Sequence, residues 1–224
     1  MRNFLLKNLK KMLWLITATH LFFLALFITR YKKTKNILYL LSGLVTFGLF
    51  YDALIISLGS VIKDESLLKK LSKLRFISHG ALIPLLFPIC TYSLEGSSKA
   101  KLLTWALTAV VSIMGVAEGT VTDLEFKEIA DVKRYTASKE TPKWAEMVSS
   151  LLSYGTVFPL IGAGAVAWSK EKTPSLFLSG FLMFAFAALG PATGNFDLIF
   201  FISMFGEVFM AAFLGLFAKH KDKK

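Results

Sequence analysis

The sequence predicts an all-α fold, a polytopic membrane helix bundle of about seven transmembrane helices, with six or eight as the alternative counts. Three observations support this prediction. Hydrophobic residues make up 54% of the 224 residues, and the mean hydropathy of +0.58 exceeds that of ordinary soluble domains. The charged residues cluster in short tracts between long apolar stretches. No stretch alternates strictly between apolar and polar residues as a barrel strand does, so helices are the structure expected to satisfy the backbone in lipid.

Seven apolar stretches lie between the charged tracts. They are 12–29, 37–60, 76–94, 102–121, 147–168, 174–189 and 196–217. A bilayer core about 30 Å thick requires about 20 helical residues, and all the stretches but 174–189 reach or approach that length. Residues 190–192 would extend the short one. The first stretch is followed by Thr29-Arg30-Tyr31 instead of a small-residue cleavage site, so we expect a retained helix rather than a signal peptide.

The formal net charge of +11 is explained by lysine and arginine residues at the ends of the predicted helices. This distribution is typical of membrane anchoring, so the expected partner is the lipid bilayer and not nucleic acid. The basic residues divide almost evenly between the two faces of the bundle. The charge rule therefore does not indicate which face is cytoplasmic, and nothing in the sequence identifies the membrane.

We expect one integral membrane domain over 1–224, with a polar loop or surface helix at 121–146 and a basic tail at 218–224. Cys90 is the only cysteine, so an intrachain disulfide is excluded. One of the three histidines lies in the tail, which excludes a three-histidine metal site within the membrane. The sequence contains no Gly-rich phosphate loop or nucleophile motif, and we expect neither a metal nor a cofactor.

Two apolar hairpins resemble one another, which suggests a parallel helix-hairpin repeat. Residues 76–120 align with 151–195 without gaps, and SHGALIPL in the first copy matches SYGTVFPL in the second. The second copy carries Tyr154 where the first has His79. Both copies start from the same face, so an axis along the membrane normal would relate them. The shared Gly-x-x-x-Pro element also has a purely structural interpretation, because small residues permit close helix packing and proline bends a helix.

Ionisable and other polar residues in or beside the predicted spans mark the candidate site, because a charge in hydrocarbon is costly unless it is paired. Most of them fall in the half of the membrane nearest the N-terminus, and the other half of each stretch is plain hydrocarbon. We therefore predict a one-sided pocket. The candidate catalytic residues are His79, Asp52, Glu118 and Glu207, and the candidate substrate-binding residues are Arg75, Tyr154, Asn195, Asp197 and His20.

The spacing of these residues suggests roles. Arg75 and His79 are four residues apart and share a helix face, where the guanidinium would bind an anionic headgroup and the imidazole would act as acid or base. Asp52 would orient the imidazole, and Glu118 or Glu207 would be the second acid. The structural alternatives are a snorkelling Arg75, a His79 that only hydrogen-bonds between helices, and an Asp52 that only forms an ion pair with Arg75 or His79.

Three functions are compatible with this pattern. The first is an enzyme that acts on a lipid or amphiphilic small molecule by general acid–base chemistry. The second is a proton-linked small-solute carrier in which Glu207 and His20, both near the midplane, relay protons. The third is a non-catalytic membrane scaffold. A carrier requires a polar route to both faces and a scaffold requires no cavity, whereas the enzyme requires a pocket open to one face. The sequence indicates neither the substrate nor the oligomeric state.

Overall fold

A computed structural model describes residues 2–192 and 199–223, with side chains over 6–189 and 200–223. The helices are α1 (Arg2–Thr34), α2 (Ile37–Leu58), α3 (Glu65–Leu82), α4 (Leu86–Ser93), α5 (Ser98–Val121), α6 (Lys143–Glu171), α7 (Ser175–Ala192) and α8 (Ile199–Lys221). A 3-10 turn, Ile83–Leu85, joins α3 to α4. Two antiparallel strands, β1 (Leu124–Ile129) and β2 (Val132–Ala137), lie between α5 and α6.

The prediction of an all-α membrane bundle is confirmed. Within the described residues, six helical segments are long and apolar enough to cross a membrane, and α3, the 3-10 turn and α4 together form one of them. The predicted stretch 174–189 forms the shorter apolar helix α7, which runs antiparallel between α6 and α8. Gly164 of α6 meets Phe177 of α7, and Gly206 of α8 meets Met183. The chain is therefore a multi-pass integral membrane protein.

Contacts at the helix ends define two faces of the bundle. Lys10 near the start of α1 pairs with Asp131 of the hairpin at 3.1 Å, which marks the N-terminal face. At the opposite, C-terminal face, Lys221 pairs with Glu95 at 2.8 Å and with Glu171 at 2.6 Å. The connections after α4 and α6 therefore meet the end of α8, and the two ends of the described chain lie at opposite faces.

The span that contains α3 and α4 is broken at Pro84. Proline lacks the N–H that would continue the helix, and the chain passes through a 3-10 turn instead. Hydroxyls of α5 satisfy carbonyls at the break, since Ser112 donates to the carbonyl of Ala81 at 3.0 Å and Thr108 approaches that of Pro84 at 3.5 Å. Pro159, the counterpart of Pro84 in the proposed repeat, lies inside the continuous helix α6.

Close helix approaches test the repeat further. Helices α3 and α5 cross at Gly80 and Gly115, where a Cβ on either glycine would overlap the backbone of the other. In the second hairpin, α6 and α7 instead approach at Gly164 and Gly180. The first copy has Ile89 and Trp105 at those two positions.

The crossing points of the two hairpins are therefore not equivalent in the described residues. Together with the different consequences of the two prolines, this gives the parallel repeat no support. In the first hairpin, Gly80 and Gly115 are explained by close packing and Pro84 by the break in the span.

The prediction of a loop or surface helix over 121–146 is corrected, because residues 124–137 form a β-hairpin and residues 143–146 belong to the start of α6. Ala130 and Asp131 form a two-residue connection in which both φ angles are positive, 49° and 56°, as in the tight turns that suit antiparallel strands. Phe126 and Tyr135 pair across the strands with ring centroids 5.7 Å apart. These interactions outweigh an apolar spacing that also resembles a helix face.

The hairpin is fixed against the N-terminal face. Its base is closed by Ser138, whose hydroxyl donates to the Asp123 carboxylate at 2.6 Å and holds the pKa of that carboxyl below its usual value. The Lys133 amide donates to the Gly59 carbonyl at 3.1 Å, and a Cβ at Gly59 would overlap this backbone. Val132 is buried in the apolar cluster that also contains Leu9 of α1.

The glycine crossing of α3 and α5 predicts a selective packing defect. We expect Gly80→Ala to lower the free energy of unfolding by about 1–3 kcal/mol, because the new methyl group would overlap the Gly115 backbone. Gly162→Ala is the matched control, since a Cβ there meets nothing within 4 Å. Helix propensity favours that change by up to about 1 kcal/mol. Thermal unfolding of the detergent-purified variants measures both effects, and equal melting temperatures would contradict the close crossing.

Candidate functional site

Four of the predicted site residues surround one cavity near the N-terminal face. Asp52 of α2, Arg75 and His79 of α3, and Glu118 of α5 all line a space of about 240 Å³, which we call the polar cavity. The hairpin and α6 complete its wall with hydroxyl and guanidinium groups. These additional polar residues are Arg134, Thr136, Ser149 and Ser153.

Arg75 is the most heavily engaged of these groups. One guanidinium nitrogen lies 3.5 Å from an Asp52 carboxylate oxygen, and the other donates to the Tyr135 carbonyl at 2.9 Å. The guanidinium carbon lies 4.9 Å from the centroid of the Phe76 ring. Arg75 is buried, with 8% of its surface exposed, so its side chain does not snorkel to the membrane surface. Its Nε has no hydrogen-bond partner among the described residues.

Asp52 has a different partner from the one expected for an enzyme, in which its carboxylate would orient the His79 ring. No hydrogen bond joins its carboxylate to the His79 ring in the described part of the chain, and its partner is Arg75. This ion pair with Arg75 is the purely structural interpretation that the sequence also allowed for Asp52. A carboxylate at this position neutralises the buried arginine, because an unpaired guanidinium in this environment would be strongly destabilising.

Glu118 lies at the end of α5 and is buried, with 5% exposed. Its carboxylate accepts a hydrogen bond from the Thr122 hydroxyl at 3.1 Å. The Lys73 ammonium hydrogen-bonds to the carbonyl of Thr122. Glu118 therefore has a defined orientation at the wall of the polar cavity, which a proton donor or acceptor requires.

A second cavity of about 340 Å³ adjoins the first, and we call it the apolar cavity. It shares His79, Leu152 and Ser153 with the polar cavity. Most of its wall is hydrocarbon or thioether, from residues that include Leu49, Leu86, Met183 and Met210. His79 thus lies at the junction between a polar space and an apolar one.

Glu207 and His20 do not form the expected pair. Glu207 lines the apolar cavity and is 7% exposed, and one oxygen of its carboxylate has no hydrogen-bond partner among the described residues. His20 is fully buried and lines neither cavity, and neither of its ring nitrogens has a partner in residues 6–189 or 200–223. No described hydrogen bond connects the two side chains.

The remaining predicted residues have different outcomes. Tyr154 lies at the rim of the apolar cavity, is 57% exposed and stacks on Phe158, with ring centroids 6.1 Å apart. It thus lines the same cavity as His79. Asn195 and Asp197 lie outside the described residues.

Arg134 is a site residue that sequence reasoning missed. It belongs to β2, and its guanidinium carbon lies 3.8 Å from the centroid of the Phe200 ring, beside the polar cavity. The sequence could have indicated that Arg134 lines the cavity only if the β-hairpin had been recognised. The paired strands carry Arg134 and Thr136 to the cavity.

Between the apolar cavity and the C-terminal face lies a packed apolar core, and a separate apolar cavity of about 360 Å³ lies to one side of it, between α1 and α2. Buried apolar side chains of α6, α7 and α8 form the core, among them Leu160, Leu176, Leu214 and Phe217. The described residues thus combine two adjoining cavities with an apolar core towards the opposite face.

No protein-family model matches the chain, and no curated protein sequence matches it. The chemistry of the site is therefore inferred from its own residues.

The buried ion pair predicts strong dependence of each partner on the other. We expect Asp52→Leu to lower the free energy of unfolding by about 3–5 kcal/mol, because it leaves the Arg75 charge buried and unpaired. The double variant Asp52→Leu/Arg75→Met removes both charges and is expected to recover much of this loss.

The control for this measurement is Lys127→Ala. It breaks the surface pair with Glu125, whose side chain is 40% exposed, and is expected to cost about 0–1 kcal/mol. Chemical or thermal unfolding in detergent measures these three variants and the single change Arg75→Met, which completes the double-mutant cycle. A double variant as unstable as the sum of its single changes would contradict the coupling of Asp52 and Arg75.

Proposed function

We propose that this membrane protein is an enzyme that acts on a lipid or amphiphilic small molecule by general acid–base chemistry at His79. The observation that supports this proposal is the position of His79 at the junction of the two cavities. An amphiphile has a polar head joined to an apolar tail. The polar and apolar cavities offer the matching environments, and the histidine lies where the two parts of the molecule would meet.

The residues of the polar cavity have complementary roles in this proposal. Arg134 supplies positive charge that attracts an anionic head. Arg75, whose charge is balanced by Asp52, is held in place by that ion pair and offers its Nε–H as a further donor. The His79 imidazole transfers a proton to or from the reacting group. Glu118, oriented by Thr122, is the second proton donor or acceptor.

A proton-linked carrier is supported less well by the geometry. Glu207 and His20 are buried near the middle of the bundle, as a relay would require, but they share no hydrogen bond in the described residues. The core beyond them contains Leu160, Leu214 and Phe217, which provide no polar surface for a solute. A scaffold role leaves the two adjoining cavities unexplained.

The proposal predicts that His79→Ala strongly lowers the rate of turnover. The purified protein is reconstituted into nanodiscs made from a total polar lipid extract, and the lipids are compared by mass spectrometry before and after incubation. We expect the wild-type protein to convert one lipid species into another. His79→Ala should lower that rate by about 100-fold or more, which is the usual contribution of a proton-transferring group.

His220→Ala is the matched control. This histidine lies at the C-terminal face near Glu171, far along α8 from the cavities, and its substitution should leave the rate unchanged. Full turnover by His79→Ala, or unchanged lipids with the wild-type protein, would contradict the proposal. The carrier hypothesis is tested with the same purified protein reconstituted into liposomes that contain a pH-sensitive dye. Of the candidate functions, only the carrier predicts a flux of protons into or out of these liposomes.

A further inference from the structure

We infer that the apolar cavity holds the hydrocarbon chain of an anionic membrane lipid, which enters sideways from the bilayer between α6 and α7. This inference rests on the proposed function and specifies its substrate class. It is carried by the way α6 and α7 pack, by the exposure of the cavity rim and by the shared wall of the two cavities.

Among the described residues, the glycine-mediated close approaches of α6 and α7 lie in the half of the bundle near the C-terminal face. A Cβ on Gly164 would overlap the Phe177 backbone, and a Cβ on Gly180 would lie 2.9 Å from the Ile161 side chain. Farther towards the N-terminal face, Phe158 and Phe184 make the next contact across the pair, with ring centroids 5.4 Å apart. Such glycine-mediated contacts bring helix backbones together and fix one end of the pair.

Beyond these rings, the cavity itself lies between the two helices. Tyr154 and Phe158 contribute the α6 side of its rim, and Phe184 and Ala187 contribute the α7 side. Tyr154 is 57% exposed and Phe158 is 51% exposed, so the rim lies on the outer surface of the bundle. The outer surface of the spanning helix α6 contacts acyl chains, so an opening beside it leads into the hydrocarbon of the bilayer.

The wall of the cavity suits a flexible hydrocarbon chain. Met183 and Met210 line it together with leucine side chains, and thioethers adapt to ligands of irregular shape. A volume of about 340 Å³ falls within the range of roughly 300–1,000 Å³ that is usual for small-molecule sites. A water-soluble solute would gain few polar contacts here, whereas a lipid chain exchanges one apolar environment for another.

The head of the same lipid is placed by the polar cavity. A chain that lies along Leu152 and Ser153 brings its head past His79 to the wall that carries Arg75 and Arg134. The Arg134 guanidinium and the Nε–H that Arg75 retains beside its ion pair with Asp52 would recognise phosphate or carboxylate oxygens by charge-assisted hydrogen bonds. The substrate class is therefore an anionic lipid, with its chain between α6 and α7 and its reacting head beside the imidazole.

Photo-crosslinking tests the path of the chain. The full-length protein is placed in phosphatidylcholine nanodiscs that contain a little phosphatidylglycerol with a diazirine in the middle of one acyl chain. After illumination, mass spectrometry maps the labelled peptides. We expect label on the inward residues Met183 and Met210. Label confined to outward residues such as Phe181 would overturn the inference.

Two neighbouring alanines allow the entrance of the apolar cavity to be blocked with a matched control. Ala187→Trp fills the rim of the cavity and should reduce labelling of Met183 and Met210 several-fold. Ala188→Trp adds the same bulk at an exposed position that does not line the cavity, and its labelling should equal that of the wild type. Equal labelling of the two variants would overturn the inference. Size-exclusion profiles and melting temperatures establish that both variants fold.

Two further labelling experiments test the anionic head and the chain site separately, and distinguish both from the proposed enzyme activity. Phosphatidylcholine with the same diazirine chain should label the inward residues less than phosphatidylglycerol does, and equal labelling would overturn the anionic head. His79→Ala should retain labelling, because the chain does not depend on the imidazole. Inward labelling without turnover in the wild-type protein would therefore uphold the chain site and reject the enzyme.

Discussion

The ion pair between Asp52 and Arg75 is the interaction on which the N-terminal half of this protein depends. A guanidinium buried between helices requires a counter-charge and acceptors for its remaining protons. The counter-charge comes from α2, and the Tyr135 carbonyl of the hairpin accepts a further hydrogen bond. One arginine thus links two spanning helices to the extramembrane hairpin. The hairpin in turn carries Arg134 and Thr136 to the polar cavity. The contacts that satisfy the buried Arg75 therefore also bring these two residues into the cavity wall.

The two faces of the bundle are held in different ways. At the C-terminal face, Lys221 connects the end of α8 to Glu95 and Glu171, and apolar side chains pack together in the interior above it. At the N-terminal face, the helices surround cavities, and the connection after α5 is a docked hairpin instead of a short loop. The polar residues that line a cavity therefore lie towards the N-terminal face, whereas the cavity between α1 and α2 nearer the C-terminal face is lined almost entirely by apolar side chains. This asymmetry agrees with the uneven placement of ionisable residues along the spans.

Hydropathy predicts the bundle because the length of each apolar stretch is set by the membrane. The hairpin could not be predicted in the same way, since its apolar residues Leu124, Val132 and Tyr135 also fit a helix face and its turn contains no glycine. The cost of a buried charge singles out Asp52, Arg75, His79 and Glu118, which do share a cavity. The partner of each charge depends on helix adjacency, which is not encoded locally. For this reason the sequence did not indicate that Arg134 lines the cavity, and it paired His20 with Glu207, between which no hydrogen bond is described.

The break at Pro84 divides one membrane span into two helices, α3 and α4, that both contact α5. Helix α3, which carries His79, meets α5 at the Gly80–Gly115 crossing, and α4 meets it where the Thr91 and Thr104 hydroxyls lie 2.7 Å apart. Helix α4 also packs against α6. Hydroxyls of α5 also meet the backbone at the break itself, at the carbonyls of Ala81 and Pro84. The proline thus lets the part that carries His79 differ in direction from α4, while one neighbouring helix anchors the whole of this interrupted span.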